Sequence, residues 1–187
     1  MRHHYVPQFL LREWADGTVD SRVEVFRLDL AGLKSSRLAP KNTAYEDNLY
    51  SLTKPIVAGM EQHAVEKLCL RHIDECGARV HRKLEVNGLR ALTPRDREGW
   101  VRFLMSLRIR QPDIVNNLRN ESAIQLRESL AADAEKYEVL AGLEDPPSFD
   151  EWVESGFPGL IENFGLSFFH ELVDNVETGN KILKSSE

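Results

Sequence analysis

The stretch Arg2-His3-His4-Tyr5-Val6-Pro7-Gln8-Phe9-Leu10-Leu11-Arg12 holds the chain's densest set of chemically capable side chains. The neutral imidazoles of His3 and His4 are ligands for a divalent metal ion near physiological pH. Adjacent residues of an extended chain point to opposite faces, so one of the two is expected at such an ion while the other holds surrounding partners. The structural alternative is that His, Tyr, Pro and Gln simply tie the terminus into the core through hydrogen bonds. An artefact also attaches to this pattern: a free amine with histidine at position three chelates copper or nickel in any protein. Farther along, Arg110 falls on the apolar stripe of Phe103 and Leu107. An unpaired guanidinium there is costly, so a carboxylate partner is expected.

Other constellations fail on geometry. His63, His72 and His81 recur every nine residues, which on a helix is half a turn out of phase, and eighteen residues rise about 27 Å, so they cannot share one ion. Cys69, His72 and Cys76 fall on one stripe, but the cysteines lie about 10 Å apart along the axis. That is too far for both to bind one zinc, and packing is the expected role of these thiols. No Gly-rich phosphate loop follows a strand, and neither a G-x-S-x-G elbow nor an H-E-x-x-H pair is present.

The elements that must position these residues are legible in outline. A short helix is predicted over Pro7–Trp14, with proline in its first turn. Val19–Leu30 reads as a strand and Leu33–Ala39 as its returning partner in a hairpin, with another short strand within Ala44–Leu52. From about Gly59 the chain reads as helical, with Val65, Leu68, Cys69, His72, Ile73, Cys76 and Val80 on one face, and Asn87-Gly88 closes it. Thr93-Pro94-Arg95-Asp96 is a helix start with a threonine cap and proline at the first position. Pro112 is expected to kink or interrupt that helix, and a further one is predicted from about Asp113 to Leu140. Glu144-Asp145-Pro146-Pro147 is the clearest linker, and Ser148 with Glu151 is a capping-box pattern. Phe164, Leu166, Phe168, Phe169 and Leu172 are expected in the core. The fold class is α+β, predominantly α-helical, with a small N-terminal β-hairpin region packed against a helical bundle. A single domain is expected over 1–187, comprising a β-containing region 1–58, a helical region 59–143 and an acidic helical region 144–187.

The 187 residues are 42% hydrophobic and 29% charged, enough to bury a core and unlike a disordered chain. No apolar run reaches the roughly 20 residues needed to cross a bilayer, and the start lacks the apolar stretch of a secretory signal. Two cysteines within one helical segment point to a cytoplasmic location. The net charge of −6 is unevenly laid out. Residues 1–70 are neutral, residues 71–119 carry +5, and residues 120–187 carry −11. All but one of the basic residues in the middle segment are arginine, the side chain suited to phosphate or carboxylate. Either the middle meets nucleic acid, or the acidic third folds against it as an internal counter-charge, with the second the commoner arrangement.

The N-terminal run resembles the opening of the HHYVPQ-type bacterial proteins of domain-of-unknown-function family 4238. The likeness continues through Asn42, Glu46-Asp47-Asn48-Leu49-Tyr50, Glu61 and Arg110-Gln111-Pro112, covering roughly residues 2–112. It implies longer relatives with a C-terminal Ser-Asp-x-Pro element, and hence that this chain corresponds to an N-terminal portion. The resemblance implies no particular reaction.

Residue types therefore set the functional expectation. It is a metal-assisted, nuclease-like hydrolase acting on phosphodiesters, with His3, His4, Glu61 and Arg110 catalytic. His4, Glu46 and Asp47 would hold a divalent ion, with Gln8, Tyr5 and Arg108 binding substrate. Arg110 is expected to meet Glu46, Asp47 or Glu61. The alternative is a non-enzymatic binding module for nucleic acid or protein in which the HHYVPQ motif is structural.

Overall fold

A computed structural model describes residues 1–17, 20–54 and 59–174. The start of the strand expected from Val19, the end of the β-containing region at residue 58, and the last thirteen residues of the acidic region lie outside these. The chain is α+β and mostly helical. Strand β1 (Arg2–His4) pairs antiparallel with β4 (Tyr45–Asp47), placing His3 opposite Glu46 and Arg2 opposite Asp47. Strands β2 (Val23–Asp29) and β3 (Gly32–Leu38) form a separate hairpin, with Leu28 opposite Leu33. The strand expected over Ala44–Leu52 is only three residues long. Asn48 turns with φ +59°, and Leu49, Tyr50, Ser51 and Leu52 enter the interior as a loop.

Helix α1 (Gln8–Glu13) starts one residue later than predicted, because Pro7, at ψ 138°, caps it from outside rather than opening its first turn. The long helix begins at Val65 rather than Gly59. Val65–Leu70 is a π-helical turn that leads into α2 (Arg71–Asn87), and Gly88 ends α2 with φ +69°. Helix α3 (Pro94–Ile109) begins with the predicted cap. Asp96 N–H donates to Thr93 Oγ1, and the Asp96 carboxylate returns to the Thr93 N–H. Pro112 does not kink one helix; it opens a new one, α4 (Pro112–Leu140), where its missing N–H is harmless.

Ser148 Oγ accepts from the Glu151 N–H to start α5 (Phe149–Gly156), and α6 (Leu160–Ser167) and α7 (Phe169–Val173) follow. Gly165 lies inside α6 where a Cβ would come within 2.5 Å of the Leu118 carbonyl oxygen, so glycine lets α6 press against α4. The core joins Leu49, Tyr50 and Leu52 to Leu70, Ile109, Val115, Leu166 and Phe169. Of the terminal Phe cluster, Phe169 is buried there while Phe168 is exposed. No helix among the described residues is long and apolar enough to cross a membrane.

Candidate functional site

The loop after β4 sits at the centre of a buried polar network. His3 is fully buried, and its Nδ1 accepts the Tyr50 N–H at 2.8 Å. That bond assigns the ring proton of the neutral form to Nε2, which is buried without a partner. The imidazole stacks on the Tyr50 ring at 5.3 Å and meets His63 edge-on at 5.4 Å. Burial, reinforced by His63, the terminal amine and Arg119, lowers its pKa to about 4, against a weaker pull from Asp47. Two further bonds fix the terminus: the Met1 amine donates to Asn48 Oδ1 and the Asn48 N–H donates to the Met1 carbonyl, both at 2.8 Å. The amine and the Nδ1 of His3 are thus engaged within the fold.

Tyr50 carries the network inward. Its hydroxyl donates to the Arg110 carbonyl at 2.7 Å, and burial raises its pKa well above the ordinary value. Arg110 is fully buried and makes a forked pair with Asp74, at 2.8 and 3.2 Å, with Ser106 supplying its carbonyl and hydroxyl. The expected carboxylate partner exists, but it is Asp74 rather than Glu46, Asp47 or Glu61. The reason is the packing of α2 on α3. Gly77 admits the Phe103 ring so closely that a Cβ there would sit 2.4 Å from it, and this contact sets Asp74 opposite the end of α3. Glu66, on the π turn, has one carboxylate oxygen buried without a partner. Burial raises its pKa, Asp74 adds to the rise, and Arg110 opposes it. Arg119 donates to the carbonyls of Leu49 and Ser51, and Ser51 Oγ bonds His63 Nδ1 at 2.9 Å.

The remaining expected site residues do not join this network. His4 is half-buried beside Tyr45, with its Nε2 unpartnered. Burial lowers its pKa, against the Lys41 and Pro40 carbonyls. Glu46 and Asp47 are exposed on β4 because a three-residue strand at the surface leaves their side chains in water. Glu61 is exposed before the π turn and pairs with Lys67, which lowers its pKa. Tyr5 packs on the core. Gln8 accepts from Arg12 at the surface, and Arg108 is exposed on α3. His4, Glu46 and Asp47 therefore do not assemble a three-ligand set. Among the described residues the one such cluster is Glu13, His81 and Glu85.

Cys69 and Cys76 pack as expected, though half-buried: Cys69 lies against the edge of the core and Cys76 against Gly99. With His72, Arg102 and Asp174 they line a groove of about 310 Å³ beside α7, where burial raises the Cys69 pKa. Among the described residues, Arg102–Asp174 is the one ion pair joining the basic middle to the acidic third. No motif or spacing in the sequence marks Asp74, Ser106 or Arg119 as members of this network. His63 precedes the helix, so the nine-residue helical spacing to His72 does not govern where its ring lies.

This arrangement, helices over a small β clasp with a buried His–Tyr–Arg–Asp chain at their junction, defines a mostly helical α+β class of protein. The family model for a protein of unknown function, DUF4238, matches residues 2–185, and the chain belongs to that family. The match extends well past the roughly 2–112 over which the motif residues are legible. Comparison with curated proteins and with solved structures gave no match.

Proposed function

We propose that this chain is a nucleic-acid-binding module in which the HHYVPQ segment is a structural clasp. The observation that carries this reading is the basic end of the α2–α3 hairpin. Between residues 79 and 97 stand six basic and two acidic side chains. Arg79, Arg82, Arg90 and Arg95 are exposed there. Among the described residues none of the four has an acidic partner, while Asp96 is taken by Lys83. Exposed guanidinium groups suit the charge and forked hydrogen-bonding of phosphates, and such contacts weaken with salt. The clasp reading is supported by His3 and Arg110, which are buried and occupied by protein partners.

The test is binding of the full chain to a single-stranded and a duplex oligonucleotide across a salt series. Arg82→Ala, Arg90→Ala and Arg95→Ala should each weaken binding and reduce the slope of log K against log salt by about one. Absence of salt-dependent binding to either oligonucleotide rejects the reading and leaves an acidic protein as the partner to test.

A second reading, metal-assisted hydrolysis of phosphodiesters through His3, His4, Glu61 and Arg110, draws support from the unpartnered Nε2 atoms of His3 and His4. His4→Ala separates the two. Loss of nuclease turnover with an unchanged Tm marks catalysis, and a lowered Tm with no turnover in the parent marks the clasp.

A further inference from the structure

Away from the clasp, Glu13 at the end of α1 meets His81 and Glu85, which lie one turn apart on α2. One ligand atom from each of the three lies within 4.8 Å of the others. Two observations set this cluster apart from ordinary surface carboxylates. The His81 ring is held by packing: it lies 6.0 Å from Phe9 and 6.1 Å from Trp100, its side chain is 21% exposed, and its Nδ1 stands 3.6 Å from Glu85 Oε2. A donor nitrogen is thus presented in a fixed direction before any ion arrives. In addition, one oxygen of each carboxylate lies within 4.8 Å of the other, and the ion-pair partner of Glu85 is His81 itself. Among the described residues neither Glu13 nor Glu85 has a Lys or Arg within 4.0 Å. Like charges at that separation repel unless a cation is shared.

We propose that Glu13, His81 and Glu85 form a binding site for a zinc-class divalent metal ion that fastens α1, and with it the N-terminal segment, to α2. One imidazole nitrogen with two carboxylate oxygens suits Zn²⁺ or Mn²⁺, whereas Ca²⁺ takes six to eight oxygens. Three protein ligands leave a fourth position open. Glu13 and Glu85 are both exposed, so that position faces solvent.

The experiment titrates Zn²⁺, and separately Mn²⁺, into the untagged full chain by calorimetry, with Tm recorded alongside. Copper and nickel are avoided because they favour a terminal amine followed by histidine. The wild-type chain should bind one Zn²⁺ and melt at a higher temperature with it, since a ligand of the folded state stabilises that state. Glu13→Gln/Glu85→Gln keeps the shape of both exposed side chains; it should weaken Zn²⁺ at least tenfold and remove the Tm rise. Should the metal-free double variant melt lower than the parent, Glu85→Gln alone is judged by the same tenfold criterion. A wild-type chain that takes up neither metal, or a variant whose affinity stays within tenfold, overturns the proposal.

Discussion

Tyr50 donates at both ends: its backbone N–H goes to His3 Nδ1 at 2.8 Å and its hydroxyl to the Arg110 carbonyl at 2.7 Å. One fully buried residue therefore joins the N-terminal strand to the end of α3. Tyr50→Phe keeps the ring stacked on His3 but leaves a carbonyl without its donor. A buried acceptor stripped of its partner costs about 1–3 kcal/mol. Urea unfolding of the variant should show that loss with an unchanged m-value.

Arg110 and Asp74 are unequal partners, because their side chains are 1% and 28% exposed. Asp74→Ala strands a guanidinium that water cannot reach, and about 3–5 kcal/mol is expected to be lost. Arg110→Met leaves a carboxylate that can still turn to solvent, so its cost should be smaller. Arg110→Met/Asp74→Leu should be more stable than Asp74→Ala alone. The order of the three unfolding free energies checks the argument, and an Arg110→Met variant less stable than Asp74→Ala would contradict it.

The starts of α3, α4 and α5 were legible because their causes are local. Thr93 and Asp96, Pro112, and Ser148 each act within one turn, and the structure places helix starts at all three. The need for a carboxylate at Arg110 was legible too, since it follows from a charge on an apolar stripe. Its identity was not, because Asp74 lies 36 residues away and reaches Arg110 through the seating of Phe103 against Gly77. The strand character of Arg2–His4 was hidden for a similar reason: three residues carry no periodicity, and only pairing with Tyr45–Asp47 makes them a strand. Glu13, His81 and Glu85 escaped notice because α1 and α2 meet only in the folded chain.

His3 gives the fold a pH dependence whose sign is fixed. Its folded pKa is about 4 and its ordinary value 6.5, so the unfolded chain binds a proton that the folded chain refuses. The stability held by neutral His3 is fully present above pH 6.5 and drains away as pH falls toward 4. At 1.36 kcal/mol per pKa unit the loss is at most about 3 kcal/mol. His4, also lowered, acts in the same direction. Unfolding free energies measured between pH 7 and 4 should decline accordingly. His3→Gln, which retains an acceptor for the Tyr50 N–H, should flatten the decline; an equally steep profile in that variant would remove His3 as its source.

Gly77 separates two opposing effects of adding a methyl group. In a helix interior alanine is favoured over glycine by about 1 kcal/mol. Here the new Cβ would stand 2.4 Å from Cδ2 and 2.5 Å from Cγ of Phe103. That ring cannot swing away, being fully buried with Phe9 at 5.4 Å and Trp100 at 5.2 Å. Overpacking of this kind costs about 1–3 kcal/mol, so the clash outweighs the propensity gain. Gly77→Ala is therefore expected to lower stability and, by shifting α3 along α2, to loosen the Arg110–Asp74 fork. Gly156→Ala is the control, because its Cβ would meet nothing within 4 Å and only the propensity gain remains. If thermal melts found Gly77→Ala as stable as Gly156→Ala, the close crossing would not be what sets the register of α2 against α3.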